Sequence, residues 1–328
     1  MGDHGGVVGG FRVLVVAATA AVVTTGAAVT TAGCSVATLA GTPAPTSPAG
    51  TTSTTGPPVA TTLPPGVPTG IGPWRLAGRT EVLGAFSDQG LATVARPGRA
   101  ATVAYRGTLT VTGSLERQGW DHVGDPDSWQ GWLVEPFQGG PGATAKMFRV
   151  TSPDGSVTEA VHPLVAGEAA NNSFAAVSPD GRWTVSAEWG TESRLLVYPT
   201  PVVNPGAPPG RPLPLAGTIS LDRAVRDLQG CAFASSTRLV CADSDPSSDL
   251  WPEPDQVLQV DLAGPLSGSS TSARVTMLGQ VPMTSGCTGP YEPEGVDIDR
   301  PDGLLRLTVA PPGICNLYTQ VYEYRLAP

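Results

Sequence analysis

"NNSFAAVSPDGRWTVSAEW", residues 171–189, and "EPEGVDIDRPDGLLRLTVAP", residues 292–311, each set a Pro-Asp-Gly turn between two short apolar runs. Proline pre-sets the turn, aspartate bonds to nearby backbone and glycine accepts positive φ, so each segment reads as a β-hairpin. A third such turn lies in "TSPDGS" at 153–155. "LQGCAFASSTRLVCADSD" (228–245) fits the same frame with a different turn, and "RQGWDHVGDPDSWQGWLVEPF" (117–137) fits it with a longer one. Further strands follow as "AKMFRVTS" (145–152), "SRLLVYPT" (193–200), "QVLQVDL" (256–262) and "TQVYEYRL" (319–326).

The hairpin units recur roughly every 50–65 residues, a spacing that suits repeated β-sheet blades enlarged by loops. No amphipathic helical window separates them. The expected fold is therefore all-β, a β-propeller of about five four-stranded blades over residues 73–328. Six blades is the alternative count, and a β-sandwich is the competing architecture. The first blade falls near "LATVARPGRAATVAYRGTLTV" (91–111). With 34 Pro, 41 Gly and 14% charged residues, the composition agrees with a loop-rich β protein. The chain resembles bacterial secreted propellers whose blades carry an SPDG-type turn between their first two strands. It also resembles a family of actinobacterial secreted proteins, through "QGWDHVGDPD", "NNSFAAVSPDGRW", "QGCAF" and "EGVDID". These resemblances imply an architecture and no particular chemistry.

The N-terminus has a different character. Arg12 precedes an uncharged Ala/Val-rich run from Val13 to Val29, followed by small residues, which is the order of an export signal over residues 1–33. Thr31-Ala32-Gly33-Cys34 resembles the bacterial lipobox, which implies acylation (palmitate) at Cys34 and attachment to the outer side of the cell membrane. Thr31 departs from that pattern, where an aliphatic residue is usual. Secretion after ordinary cleavage and an uncleaved membrane anchor are the alternatives. Residues 34–72 are rich in Pro, Thr and Ser and carry no charge, so they read as a disordered linker. Fully extended at ~3.1 Å per residue, it reaches on the order of 100 Å.

The formal net charge is −9, and residues 1–72 contribute only Asp3 and Arg12 to it. An acidic domain repels phosphate backbones, so nucleic acid is not expected as a partner. The expected state is a monomer that meets a ligand or an envelope protein. Of five cysteines, acylation of Cys34 removes one and leaves four for two disulfides in an oxidising compartment. Cys231 and Cys241 bracket one hairpin and pair across it; Cys287 and Cys315 then pair around the hairpin centred on Asp302.

No GxSxG elbow, P-loop, HExxH or helix-leading GxGxxG occurs. The candidate site comes from the repeat frame. In a propeller the innermost strands begin near the central channel, so their first residues converge. Those positions, read from the frame, run from Gln118 through Asp121 to His122, then Asn171 with Asn172, Gln229, and Glu292 with Glu294. Such a ring could hydrogen-bond a polar ligand. It could also hold Ca²⁺ through Glu294 and Asn172. Gluconolactonase-like and paraoxonase-like propellers hold calcium at channel positions, and that distant likeness implies a Ca²⁺-dependent lactonase or phosphoesterase as the alternative. No other cofactor is indicated, and no catalytic residue is assigned.

Asp121 and His122 are neighbours on an expected strand and so face opposite ways. The pairs Asp125/Asp127, Asp243/Asp245 and Asp297/Asp299 read as turn or surface residues, and His162 as an ordinary blade-edge residue. Among the tryptophans, Trp132 and Trp183 read as packing residues. Trp251, on a long loop, reads as the better ligand contact.

Overall fold

The computed structural model describes residues 68–327. The expected signal, Cys34 and most of the linker therefore lie outside the described residues. Twenty strands form four hydrogen-bonded sheets. The chain enters through β1 (Gly70–Ile71) and β2 (Trp74–Leu83), then makes a two-stranded blade 1 from β3 (Gly90–Val94) and β4 (Thr102–Arg106). Blade 2 comprises an interrupted inner strand, β5 (Trp120–Val123) and β6 (Asp127–Trp129), followed by β7 (Trp132–Gly139), β8 (Ala145–Thr151) and β9 (Val157–Pro163). Blade 3 comprises β10 (Ala176–Val177), β11 (Trp183–Ser186), β12 (Thr191–Pro199) and β13 (Gly217–Arg226). Blade 4 comprises β14 (Leu228–Ser235), β15 (Arg238–Asp243), β16 (Gln256–Leu262) and β17 (Thr271–Gln280). Blade 5 comprises β18 (Glu292–Asp299), β19 (Leu304–Ala310) and β20 (Tyr318–Leu326).

The protein is a five-bladed β-propeller. Its ring closes because β2 pairs antiparallel with β20 over Trp74↔Leu326 to Leu83↔Tyr318, supplying the fourth strand of blade 5. The outer strands of blades 3 and 4, β13 and β17, also pair, in parallel, from Ile219↔Thr271 to Leu221↔Ala273. Two expectations need correction. Blade 1 has two strands, because the residues after β4 turn into a 3-10 turn at Thr108–Thr110 and a short helix, Gly113–Arg117. Leu115 and Val111 from that segment pack against Val123, Phe137 and Met147 of blade 2. The ordered fold also begins before Pro73: Ile71 is fully buried and Gly72 N–H bonds to the Leu278 carbonyl.

The strands read as continuous apolar runs because blades bury both faces. In β14, Cys231 and Phe233 face blade 3 and pack with Phe174, Leu195 and Ile219, while Ala232 faces blade 5 with Val296 and Leu307. The Pro-Asp-Gly turns behave as their chemistry requires. Asp180 Oδ1 accepts Arg182 N–H at 3.0 Å, Asp154 Oδ1 accepts Ser156 N–H at 3.0 Å, and Gly181 has φ +73°. The turn at 153–155 joins the third and fourth strands of its blade, whereas the other two join the first and second.

Blade docking at the axis is polar. Asp125 belongs to blade 2, yet its Oδ1 accepts Leu91 N–H (2.9 Å, blade 1) and its Oδ2 accepts Val296 N–H (3.0 Å, blade 5). Its backbone bonds to Ser173 and Ala175 of blade 3. A Cβ at Gly230 of blade 4 would stand 2.5 Å from Asp125 Oδ2, and one at Gly295 would stand 2.6 Å from Gly90 Cα. Asp125 therefore meets all four other blades, blade 3 through its backbone and the other three through its carboxyl, and only glycine lets the strands approach it. Asp127 Oδ2 accepts Val177 N–H at 2.7 Å and pairs with Arg300 at 3.2 Å. Asp297 accepts Thr93 N–H at 3.0 Å and Thr93 Oγ1–H at 2.5 Å. These aspartates are buried, as are Asp243 and Asp245, so the surface reading of all three pairs is overturned. The requirement that buried backbone donors find partners at blade ends explains their position.

Candidate ligand pocket at the channel mouth

Directly above the Asp125 plug, the first residues of the five inner strands open into a cavity of about 590 Å³. Each blade contributes. Gln89 comes from blade 1, His122 and Gln138 from blade 2, and Asn171, Ser173 and Trp189 from blade 3. Blade 4 supplies Asp227, Gln229 and Ser244, and blade 5 supplies Tyr291, Glu292 and Glu294. No lysine or arginine lines the cavity.

The frame read from sequence thus brings His122, Gln229, Glu292 and Glu294 together. It fails at three positions. Gln118, which caps the helix at Gly113–Arg117, and Asp121 do not line the cavity; Asp121 is exposed, at a bulge between Trp120 and His122. The residue equivalent to Gly230 and Gly295 is Gly124, five residues beyond the glycine used to align this blade. Asn172 is fully buried behind the cavity: its Nδ2 donates to the Phe137 and Met147 carbonyls, and its Oδ1 accepts Ser186 Oγ–H at 2.6 Å. Its neighbour Asn171 faces the cavity instead, as strand alternation requires.

Glu294 is the unusual group. It is only 4% exposed, and no described residue gives it a hydrogen bond or a positive charge. Burial, then the negative charges of Glu292, Asp88 and Asp125, raise its pKa well above the ordinary carboxylate value. His122 is pushed the other way, its pKa lowered by burial against opposing pulls from Asp121 and Asp88. Its imidazole is therefore neutral at neutral pH. Asp227 accepts Gly190 N–H at 2.8 Å, which holds the loop carrying Trp189, a half-exposed indole at the rim. Burial raises the Asp227 carboxyl as well.

Tyr291 is the aromatic wall residue that sequence reading missed, and Trp189 is a tryptophan it did not single out. Trp251 corrects in the opposite sense: it is 3% exposed, packed in the blade 3–4 core, with Arg223 stacked 3.7 Å from its ring. His162 is likewise no ordinary edge residue. It is buried with Lys146, whose Nζ lies 2.8 Å from Glu168, and its own Nε2 lies 2.8 Å from the same carboxylate. Tyr198 O–H donates to Glu168 at 2.8 Å, so the Glu168 carboxylate joins His162, Lys146 and Tyr198 in one buried cluster. Among the described residues, no three His, Cys, Asp or Glu side chains come together to hold a metal ion. Of the pair expected to hold Ca²⁺, Glu294 lines the cavity while the Asn172 amide oxygen accepts Ser186 Oγ–H.

Both expected disulfides are present, Cys231–Cys241 and Cys287–Cys315. They fit an oxidising, extracytoplasmic setting. Among the described residues no helix is long and apolar enough to cross a membrane. Cys287–Cys315 ties the loop bearing Tyr291 to the segment after β19 and is partly exposed, whereas the Cys231 and Cys241 sulfurs lie in the core. Mild reductant applied to the folded protein is therefore expected to open only Cys287–Cys315. Alkylation and peptide mass analysis would read this; simultaneous modification of all four cysteines would contradict the placement.

No protein-family model matches the chain, and no curated protein matches it. Among solved structures it is similar to the native arabinanase Arb43A of Bacillus subtilis, at 12% identity and a TM-score of 0.35. That match covers 68% of this chain and 81% of the arabinanase, and a likeness at this level carries no statement about the site.

Proposed function

We propose that the protein is an extracytoplasmic ligand-binding propeller that takes a small polar, non-anionic molecule at the channel mouth. The observation that supports this most is Glu294, a buried carboxyl facing a cavity with no partner from the fold. Burying a polar group unpaired costs free energy, and a ligand donor offsets that cost on binding. The absence of Lys and Arg from the wall disfavours phosphate, sulfate and carboxylate ligands. Anchoring through Cys34 belongs to the same reading.

A thermal-shift screen of sugars, polyols, amines and organic anions tests it. Sugars, polyols or amines should stabilise the wild type, by about 3 kcal/mol at a hundredfold excess over Kd. Anions should not, and Glu294→Ala or His122→Ala should abolish the shift. Stabilisation by anions alone, or by any ligand equally in both variants, would refute the assignment.

A hydrolytic reading rests on one feature: burial favours the protonated form of Glu294 and the neutral form of His122, and both line one cavity, as an acid and a base would. Turnover of ester or glycoside substrates by wild type and not by Glu294→Gln would support it.

A further inference from the structure

Resting on the channel-mouth reading, we propose that the ligand is an organic cation, an amine or quaternary ammonium. Asp227, Glu292 and the unpartnered Glu294 would surround its charge, and the rings of Trp189 and Tyr291 would meet its alkyl groups. Three carboxyls and two aromatic rings share one cavity of about 590 Å³ with His122 and with no lysine or arginine. A neutral polyol needs donors and acceptors in balance. Here the amides of Gln89, Gln138, Asn171 and Gln229 supply both, but the carboxylates add acceptor capacity and negative charge that a cation matches, Glu294 doing so once its proton leaves.

Trp189 is 50% exposed, and Tyr291 packs partly against the blade 4–5 core with its O–H 2.7 Å from Ser285 Oγ, so both rings border the cavity. Aromatic faces attract ammonium groups through the ring quadrupole, most strongly where water is excluded. Glu294 supplies that dry end, since it is 4% exposed above the Asp125 plug.

A proton follows from the electrostatics. The fold gives Glu294 burial and like-charged neighbours, which favour its protonated form. A bound cation reverses that balance and favours the carboxylate. Binding therefore releases a proton, and affinity increases as pH rises toward the free-state pKa, up to about tenfold per unit. The buried Asp125 below keeps its two backbone donors throughout.

Calorimetric titration with choline, tetramethylammonium and butylamine tests this in two buffers of different ionisation enthalpy, at about pH 6 and about pH 8. At least one cation should bind with net proton release and more tightly at the higher pH. The uncharged choline isostere 3,3-dimethyl-1-butanol should bind at least about tenfold more weakly. Glu294→Gln keeps the shape and neutrality of the protonated group, so it should stay folded while losing the proton release. Equal affinity for choline and its uncharged isostere, or cation binding without pH dependence, would overturn the cationic class. Binding of glucose or glycerol in place of all three cations would leave the pocket assignment standing and remove the cation. Failure of every probe would count against both.

Discussion

Asp125→Ala is expected to lower domain stability by about 4 kcal/mol, because it strands two buried backbone donors at roughly 1–3 kcal/mol each and leaves a void beside them. The donors are Leu91 N–H and Val296 N–H, in blades 1 and 5, held by a side chain from blade 2. Water cannot replace the carboxyl readily, since Gly90, Gly230 and Gly295 press in on it from three sides. At about 2–4 °C per kcal/mol for a domain of this size, the melting temperature should fall by roughly 10 °C. Asp125→Asn keeps one acceptor but turns an amide donor toward the other N–H, so it should fall between wild type and alanine. Melting curves of the three proteins decide this. An alanine variant as stable as wild type would show that the axis is not held by this carboxyl.

The second expected result is an acid-shifted stability profile. Burial raises the pKa of Glu192 to about 8, Asp243 to about 8, Asp255 to about 7 and Asp127 to about 6, and raises Asp125 and Glu294 well above the usual value. Asp243 Oδ2, Glu192 Oε1 and Asp255 Oδ1 are buried without hydrogen-bond partners, which is the physical reason. Unfolding returns these groups to about 4, so between about pH 4 and 8 the folded state binds more protons than the unfolded state. Stability is then full near the lower end and is lost as pH rises through the folded values. The melting temperature should drop by on the order of 10 °C between about pH 5.5 and 8.5. Below about pH 4 the trend should reverse, because Glu168 is held well below its usual value by His162 and Lys146 against the opposing effect of burial. A profile that climbs steadily from pH 5 to 8 would contradict the environments assigned to these carboxyls.

Much of this fold is legible in residues 171–189 and 292–311, because blade strands are short, apolar on both faces and bounded by turns with local chemistry. The closure by Trp74–Leu83 is not, since its partner Tyr318–Leu326 lies at the far end of the chain and no local pattern joins them. The candidate site was half legible. His122, Gln229, Glu292 and Glu294 follow from the repeat frame. Asn171 and Asn172 could not be told apart until the strand's phase was known, and the bulge at Trp120–His122 shifted Asp121 out of the ring. The better landmark was the glycine opening the inner strand in four blades, Gly90, Gly124, Gly230 and Gly295. Trp251 proved a core residue because loop length says little about whether a loop folds back onto the core.

The most direct test of the account is a crystal of the domain soaked with whichever non-anionic compound stabilises it most. The account predicts one molecule above Asp125, touching Glu294 and bounded by Trp189 and Tyr291, and no such density in crystals of Glu294→Ala. A compound bound elsewhere on the propeller, with the channel mouth unchanged, would contradict it.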